Sequence, residues 1–178
     1  MTTKKQRVTN RECSMSRVME VVGDRWSILI LREAYYGNTR FDQFARYVGA
    51  APNILSNRLK KLVEAQVLAK VPAPEHTGRF QYVLTDRGRD FFPAYLSLKR
   101  WGDDWLASSK GPQVVFRDKA TGRELRHTKV VSPTGEPVHL EDIEVVPGSG
   151  AVPSARKRFG QSSATTVANK SGSGARRR

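Results

Sequence analysis

PNILSNRLKKLVEAQVL, residues 52–68, is the most informative segment of this chain about its fold. Leu55, Leu59 and Leu62 recur at positions i, i+4 and i+7, which is the spacing of one helix face. Pro52 suits the first turn of such a helix. The other face is polar and basic, with short amide and hydroxyl groups: Asn53, Ser56, Asn57, Lys60 and Lys61. We therefore predict an amphipathic helix that packs its leucines into a core and exposes this polar face.

Three more helices are predicted before this one. The first follows Ser14 as its N-cap, ends at Gly23 and carries apolar residues at helical spacing: Met15, Val18, Met19 and Val22. The second is capped by Asp24, whose side chain can accept hydrogen bonds from the first turn. The third, FDQFARYV at residues 41–48, is short and is closed by Gly49.

Two strands and one long helix are predicted to follow. The strands, residues 67–71 and 80–84, flank a segment with the turn-forming chemistry of a hairpin loop. Thr85 then caps a helix that runs to about residue 106. This helix is apolar on two sides and needs two partners, so we expect the second partner to be another subunit. The predicted dimer interface joins this helix to the first one: Met15, Met19, Phe91, Tyr95, Leu98, Trp101 and Trp105.

The order of these elements is that of a winged helix-turn-helix, a mainly α fold (α+β) with a small β-hairpin wing. The third and fourth helices form the helix-turn-helix, the fourth is the candidate recognition helix, and the hairpin is the wing. This domain is predicted at residues 11–108. Around it we expect a flexible N-terminal arm at 1–10, a small β-rich accessory module at 111–147 and a disordered basic tail at 148–178.

Charge and cysteine content narrow the classes of function. The net charge is +14, and residues 151–178 contain seven basic and no acidic residues, which favours a polyanionic partner. No run approaches the roughly 18 apolar residues of a membrane span, and residues 1–13 lack the apolar segment of a signal peptide. The single cysteine, Cys13, excludes an internal disulfide and a cysteine-rich zinc site. We therefore expect a soluble cytoplasmic protein without a membrane partner.

Four motifs, in this order, resemble those of the HxlR-type transcriptional regulators. They are CSMSRVMEVVGDRWSILILRE at 13–33, RF at 40–41 followed by Phe44, the stretch at 53–68, and YVLTDRGR at 82–89 with Trp101 and Gly102 later. The resemblance covers about residues 11–107. It implies a homodimeric bacterial regulator that binds a double-stranded DNA operator, usually as a repressor and sometimes as an activator. It also implies that many relatives respond to electrophiles or oxidants through the cysteine before the first helix, where Cys13 stands here.

Two positions depart from the family's pattern within the helix-turn-helix. Ala51 stands where a serine-type cap would be stronger, and Gln66 replaces the usual glycine after the recognition helix. In some longer relatives, cysteines in the turns beyond residue 111 suggest a metal knuckle, but Val131 and Thr134 stand there in this chain. We therefore predict no metal and no cofactor.

The predicted DNA contacts follow from side-chain chemistry. Asn53 and Asn57 can make bidentate hydrogen bonds to adenine edges, and Ser56 is a flexible donor or acceptor. Lys60 and Lys61 suit phosphates, which position a protein without specifying a sequence. The predicted set is completed by Arg58, which we expect to turn partly toward the interior, by Arg40, and by Arg79 on the wing.

Cys13 is open to three interpretations. It can be a small apolar filler beneath the first helix, or a regulatory thiol whose thiolate is stabilised by the helix N-terminus and by Arg11 and Arg17. A catalytic nucleophile would need a histidine partner, and the histidines lie in predicted loops or in the accessory module. We favour a sequence-specific regulator, not an enzyme, with Cys13 as its sensor. The alternatives are a non-specific architectural DNA-binding protein and a thiol-dependent enzyme.

Overall fold

The computed structural model describes residues 13–74, 78–106, 111–125 and 130–159. The predicted N-terminal arm at 1–10 lies outside these residues. The elements are α1 (Ser14–Val22), α2 (Arg25–Tyr35), α3 (Phe41–Val48), α4 (Pro52–Glu64), β1 (Leu68–Pro72), β2 (Phe80–Leu84), α5 (Asp86–Asp90), α6 (Phe92–Trp105), a 3₁₀ turn (Leu140–Asp142) and α7 (Pro153–Phe159). The predicted mainly α fold with one antiparallel hairpin is confirmed.

The core lies between α2, α3 and α4. Leu55, Leu59 and Leu62 are fully buried, as the helical spacing predicted, and they join the apolar side chains of α2 and Phe44 of α3 in one cluster. Gly49 ends α3 in the left-handed conformation with φ of 73°, which lets the chain turn sharply into α4. The leucine face of α4 therefore fixes which side of this helix remains outside.

The N-terminus of α2 has the predicted cap, but that of α1 does not. Asp24 caps α2, because its carboxylate accepts hydrogen bonds from the backbone N–H groups of Trp26 and Ser27. The prediction that Ser14 caps α1 is wrong: the extended residue before the helix is Cys13, and Ser14 is the first helical residue. Cys13 thus stands directly at the N-terminus of α1.

The wing is tied to the helix-turn-helix by its backbone. β1 and β2 pair antiparallel with Leu68 opposite Leu84, and the Tyr82 N–H donates to the Thr39 carbonyl, at 2.7 Å, just before α3. Gln66 has φ of 57°, the left-handed conformation that favours glycine, which explains why a glycine is usual at this position. The wing therefore has a defined place beside the start of α3.

The predicted single helix from residue 86 to about 106 is wrong, because the chain breaks at Phe91 into α5 and α6. Pro93 has no N–H to donate to the carbonyl of Arg89, so the helical ladder cannot continue through this turn. The predicted cap of this segment is confirmed, since the Thr85 hydroxyl accepts a hydrogen bond from the Gly88 N–H.

The predicted boundary after residue 108 is also wrong. The chain divides into two compact units, Met1–His127 and Thr128–Arg178. In the first unit, the ring of Phe116 packs against those of Phe92, Tyr36 and Tyr95, with centroids 5.1, 5.8 and 6.3 Å away. This aromatic contact makes residues 111–125 part of the helical domain and not of a separate module.

The expected β-rich module and disordered tail also need correction. Beyond residue 110, the described residues contain two isolated β-bridges, Arg117 with Glu124 and Val131 with Pro137, each closing a tight turn. In the second unit, Pro153–Phe159 forms α7, where we expected disorder. A proline at the first position followed by alanine, arginine and lysine favours a helix. Residues 160–178 of the predicted tail lie outside the described residues.

Candidate nucleic-acid interface

The outer face of α4 presents the side chains that were predicted to read bases. Asn53, Ser56 and Asn57 are all exposed, because the leucines on the opposite side hold the helix against the core. Lys60 lies on the same face, and its side chain is 76% exposed. Its Nζ is 3.8 Å from Oε1 of Glu64. An exposed ion pair of this kind contributes little, so Lys60 can exchange its partner for a phosphate.

Arg58 and Lys61 are placed differently, since both turn toward Asp24 at the start of α2. Arg58 Nε lies 2.9 Å from Asp24 Oδ1, and Lys61 Nζ lies 3.4 Å from Asp24 Oδ2. Their side chains are 33% and 35% exposed. Arg58 therefore turns partly inward, as expected, and Lys61 turns toward the same carboxylate.

Asp24 remains ionised at neutral pH. Partial burial opposes its ionisation, but hydrogen bonds from Ser27 and Arg58 outweigh burial and lower its pKa to about 2 from 3.8. Because the folded pKa is below the unfolded one, these bonds stabilise the fold fully above about pH 4, and their contribution is lost as the pH falls toward 2.

The two other arginines of the predicted set lie on the wing side. Arg40 makes a bidentate pair with Asp42, with both N–O distances 3.0 Å. Arg79 is exposed on the wing. Arg40, Asp42 and Arg79 line one groove of about 410 Å³ between α3 and the hairpin. Of the predicted cations, Arg40, Arg58 and Lys61 therefore lie 2.9–3.4 Å from carboxylates of the chain, and Lys60 has only its longer, exposed contact with Glu64 at 3.8 Å.

A second feature is a set of exposed apolar side chains on two helices, which we call together the apolar stripe: Met15, Val18 and Met19 of α1, and Leu98, Trp101 and Trp105 of α6. These side chains are exposed although they are large and apolar. Large apolar side chains that are exposed in groups are candidates for an interaction site. The stripe contains five of the seven residues predicted for the dimer interface.

The remaining two residues of that prediction do not belong to the stripe. Tyr95 is only 6% exposed and packs against Tyr35, with ring centroids 4.9 Å apart. Phe91 is half-buried and packs against the core. The assignment of Tyr95 to a dimer interface is therefore wrong, because residues 111–125 supply the partner that this side of the helix required.

Cys13 lies half-buried before the first turn of α1. The backbone N–H groups of Ser16 and Met15, and the Ser16 hydroxyl, favour the thiolate and hold the pKa of Cys13 below its ordinary value. These donors all belong to the first turn of α1, although the thiol makes no capping hydrogen bond of ordinary geometry. The described residues contain no group of three His, Cys, Asp or Glu side chains that could hold a metal ion.

The chain is similar to a known family of regulators. A family described as "HxlR-like helix-turn-helix" matches residues 21–110. The chain belongs to the HxlR family. The uncharacterized HTH-type transcriptional regulator Rv3095 of Mycobacterium tuberculosis is 38% identical to it over 137 residues, which are 77% of this chain and 87% of the relative. A regulator named sll1512 of Synechocystis is 32% identical over 99 residues, 55% of this chain and 73% of that protein.

Solved structures agree with this assignment. The crystal structure of PA1607, a candidate transcription factor, superposes with a TM-score of 0.70 at 37% identity and covers 81% of this chain and 98% of that one. The structure of PA1374 from Pseudomonas aeruginosa superposes with a TM-score of 0.56 at 38% identity and covers 82% of this chain and 99% of that one. The protein is thus a DNA-binding helix-turn-helix transcriptional regulator of the HxlR type. No helix in the described part of the chain is both long and apolar enough to cross a membrane.

Asp24 is a residue of this helix-turn-helix whose second role the sequence did not indicate. Asp24 was recognised only as a helix cap, although it also holds two cations of α4 that lie 34 and 37 residues later in the chain. A signal was present, since Arg58 and Lys61 are three positions apart and share a helix side. The sequence did not indicate that Asp24 is the carboxylate that contacts Arg58 and Lys61.

Proposed function

We propose that the chain is a sequence-specific repressor that binds its operator as a homodimer. The observation that carries this proposal is the exposed row of Asn53, Ser56 and Asn57 on α4, beside the exposed cation Lys60. Asparagine amides match adenine edges in the major groove, which admits one helix. The amides of Asn53 and Asn57 can bind base edges while the amine of Lys60 binds a phosphate, which is the combination that sequence-specific DNA recognition requires.

The apolar stripe of α1 and α6 supports the homodimer. A second copy would cover Met15, Met19, Leu98, Trp101 and Trp105 with the same residues of its own. Two recognition helices would then meet two half-sites about 34–36 Å apart, or a multiple of this distance. Repression follows sterically, because a dimer on a promoter excludes polymerase.

Substitutions on α4 test the readout. Asn57→Ala should cost about 1–3 kcal/mol on the preferred operator and relax selectivity at one base pair per half-site. Lys60→Ala is the matched control one turn away, and it should weaken binding to all sequences alike. Both effects are measured by competition binding to operator variants with single base-pair changes.

Two outcomes of this experiment would contradict the proposal. If Asn57→Ala and Lys60→Ala lowered affinity equally for every duplex, Asn57 would not read a base. If the unchanged protein bound its operator less than about 10³-fold more tightly than unrelated DNA, it would be an architectural DNA-binding protein and not a specific regulator.

We further propose that Cys13 makes the regulator responsive to electrophiles or oxidants. The N–H groups of Ser16 and Met15 in the first turn of α1 support this role, because they favour the thiolate, which is the reactive form. The thiolate sulfur can add to an electrophilic carbon, or two Cys13 thiols from two copies can give two electrons and two protons to diamide and form one disulfide. Either change adds bulk or a cross-link beside the apolar stripe.

Cys13→Ser tests this response with little structural disturbance, since serine is itself a preferred N-cap. The variant should bind the operator like the reduced protein and keep that affinity in diamide or quinone. The operator affinity of the wild-type protein should fall about tenfold or more in oxidant. This needs only about 1.4 kcal/mol of difference in binding free energy between the reduced and modified states. Gel-shift titrations with and without oxidant measure both. If mass spectrometry shows that the Cys13 thiol of the wild-type protein is modified while its operator affinity is unchanged, Cys13 is a structural residue and not a sensor.

A further inference from the structure

We propose that Asp24 is a positioning residue for DNA recognition: it fastens Arg58 and Lys61 of α4 to the start of α2 and so limits which cations of α4 reach DNA. This inference rests on the proposed reading of DNA by α4. It gives Asp24 two roles, since the same carboxylate caps α2 and holds the recognition helix.

The carboxylate is held in place by the helix that it caps. Oδ1 accepts from the Trp26 and Ser27 N–H groups at 3.1 and 3.0 Å, and Oδ2 accepts from the Ser27 hydroxyl at 2.7 Å. Ser27 is fully buried in the core, so these bonds give Asp24 a defined orientation. A fixed carboxylate is a better anchor for other side chains than one that rotates freely in solvent.

Two cations of α4 use this anchor. Arg58 donates to Oδ1 at 2.9 Å and Lys61 to Oδ2 at 3.4 Å. Because residues three apart are neighbours on a helix, the two bonds hold α4 along one edge, about one turn long. This edge lies beside the polar face, since Asn57 precedes Arg58 and Lys60 precedes Lys61. The two bonds therefore restrict the rotation of α4 about its axis and the direction of its asparagines.

The same bonds also reduce the charge that α4 offers to any DNA. Each phosphate neutralised by a cation steepens the salt dependence of binding by about 0.9, regardless of base sequence. Arg58 and Lys61 would add to this non-specific attraction if they were free. Through this charge Asp24 lowers affinity for all DNA alike. It raises the ratio of operator to unrelated binding because it also directs the asparagines of α4.

Asp24→Asn tests the proposal, because asparagine caps helices as well as aspartate does but carries no charge. Binding is measured to an operator duplex and to an unrelated duplex of equal length, from roughly 50 to 200 mM salt. We expect tighter binding to the unrelated duplex, a salt slope steeper by about 1 or more, and a lower ratio of specific to non-specific affinity. Asp86→Asn is the control, since it removes the same charge from an exposed pair with Arg89 on α5.

Arg58→Gln gives a second result that does not depend on the folding of Asp24→Asn. If Arg58 is held by Asp24 and away from phosphate, its removal leaves the salt slope unchanged and lowers the preference for the operator. A salt slope that becomes flatter would mean that Arg58 contacts phosphate in the complex, which would overturn the proposal. An Asp24→Asn protein with the wild-type slope and ratio would likewise overturn it and leave Asp24 a helix cap only.

A measurement without DNA separates this proposal from the proposed function. Acetylation of lysines in the native protein, followed by mass spectrometry, compares Lys61 with the exposed Lys60 as an internal reference. Lys61 should react several-fold more in Asp24→Asn than in the wild type, while Lys60 should not change. Equal labelling of Lys61 in both proteins contradicts the anchor, whatever the DNA result. A wild-type protein without operator preference contradicts the proposed function, whatever the labelling result.

Discussion

Raising the salt concentration from roughly 50 to 200 mM is expected to weaken DNA binding by about 10³–10⁵-fold, on the premise that the dimer neutralises about six to ten phosphates. Each contact releases counterions from the duplex, so affinity falls with a fixed slope on a logarithmic plot. This premise requires about three to five cations from each subunit. Lys60 and Arg79 are exposed on the proposed binding side. Fluorescence anisotropy at a series of salt concentrations measures the slope.

Deletion of residues 151–178 is the control for this prediction. The segment contains seven basic and no acidic residues, so its loss should flatten the slope and reduce binding to unrelated DNA. The choice of operator should stay the same, because α4 and the wing remain. A truncated protein that selected another operator would show that the tail reads bases, which contradicts this division of roles.

Trp105→Ala is expected to convert the homodimer largely to monomer. Trp105 ends α6 with 76% of its surface exposed, and a second copy would bury it. Loss of one buried tryptophan costs about 3–5 kcal/mol, and a symmetric dimer loses two. The dimer dissociation constant should therefore rise by at least about 100-fold to several thousand-fold. Operator affinity should fall with it, because two half-sites need two linked recognition helices. Sedimentation velocity over a range of protein concentrations measures the change.

Tyr47→Ala provides the matched comparison. Tyr47 is also a large exposed aromatic residue, but it lies on α3 and outside the apolar stripe. Its removal should leave the sedimentation of the dimer unchanged. If Trp105→Ala remained dimeric at the same concentrations as the wild type, the stripe would not be the dimer interface, and the proposal of a homodimer through α1 and α6 would fail.

Local chemistry made much of this fold predictable. Leu55, Leu59 and Leu62 are buried, and Asn53 and Asn57 are exposed, because helical periodicity assigns each residue to a face before any partner is known. The caps at Asp24 and Thr85 and the turn at Gly49 depend on backbone groups within a few residues. The order of helices and strands then sufficed to predict a winged helix-turn-helix.

Contacts between residues far apart in the chain are visible only in the tertiary structure. The residue 86–106 segment was predicted to pack one of its two apolar sides against another subunit, but Tyr95 packs against Tyr35 and Phe116 of the same chain. The exposed basic face of α4 was also predicted, yet Arg58 and Lys61 are held by Asp24, 34 and 37 residues earlier. Periodicity assigns a side chain to a face because neighbours along the helix share its axis. It cannot name a contact across the chain, because that depends on how separate elements pack together.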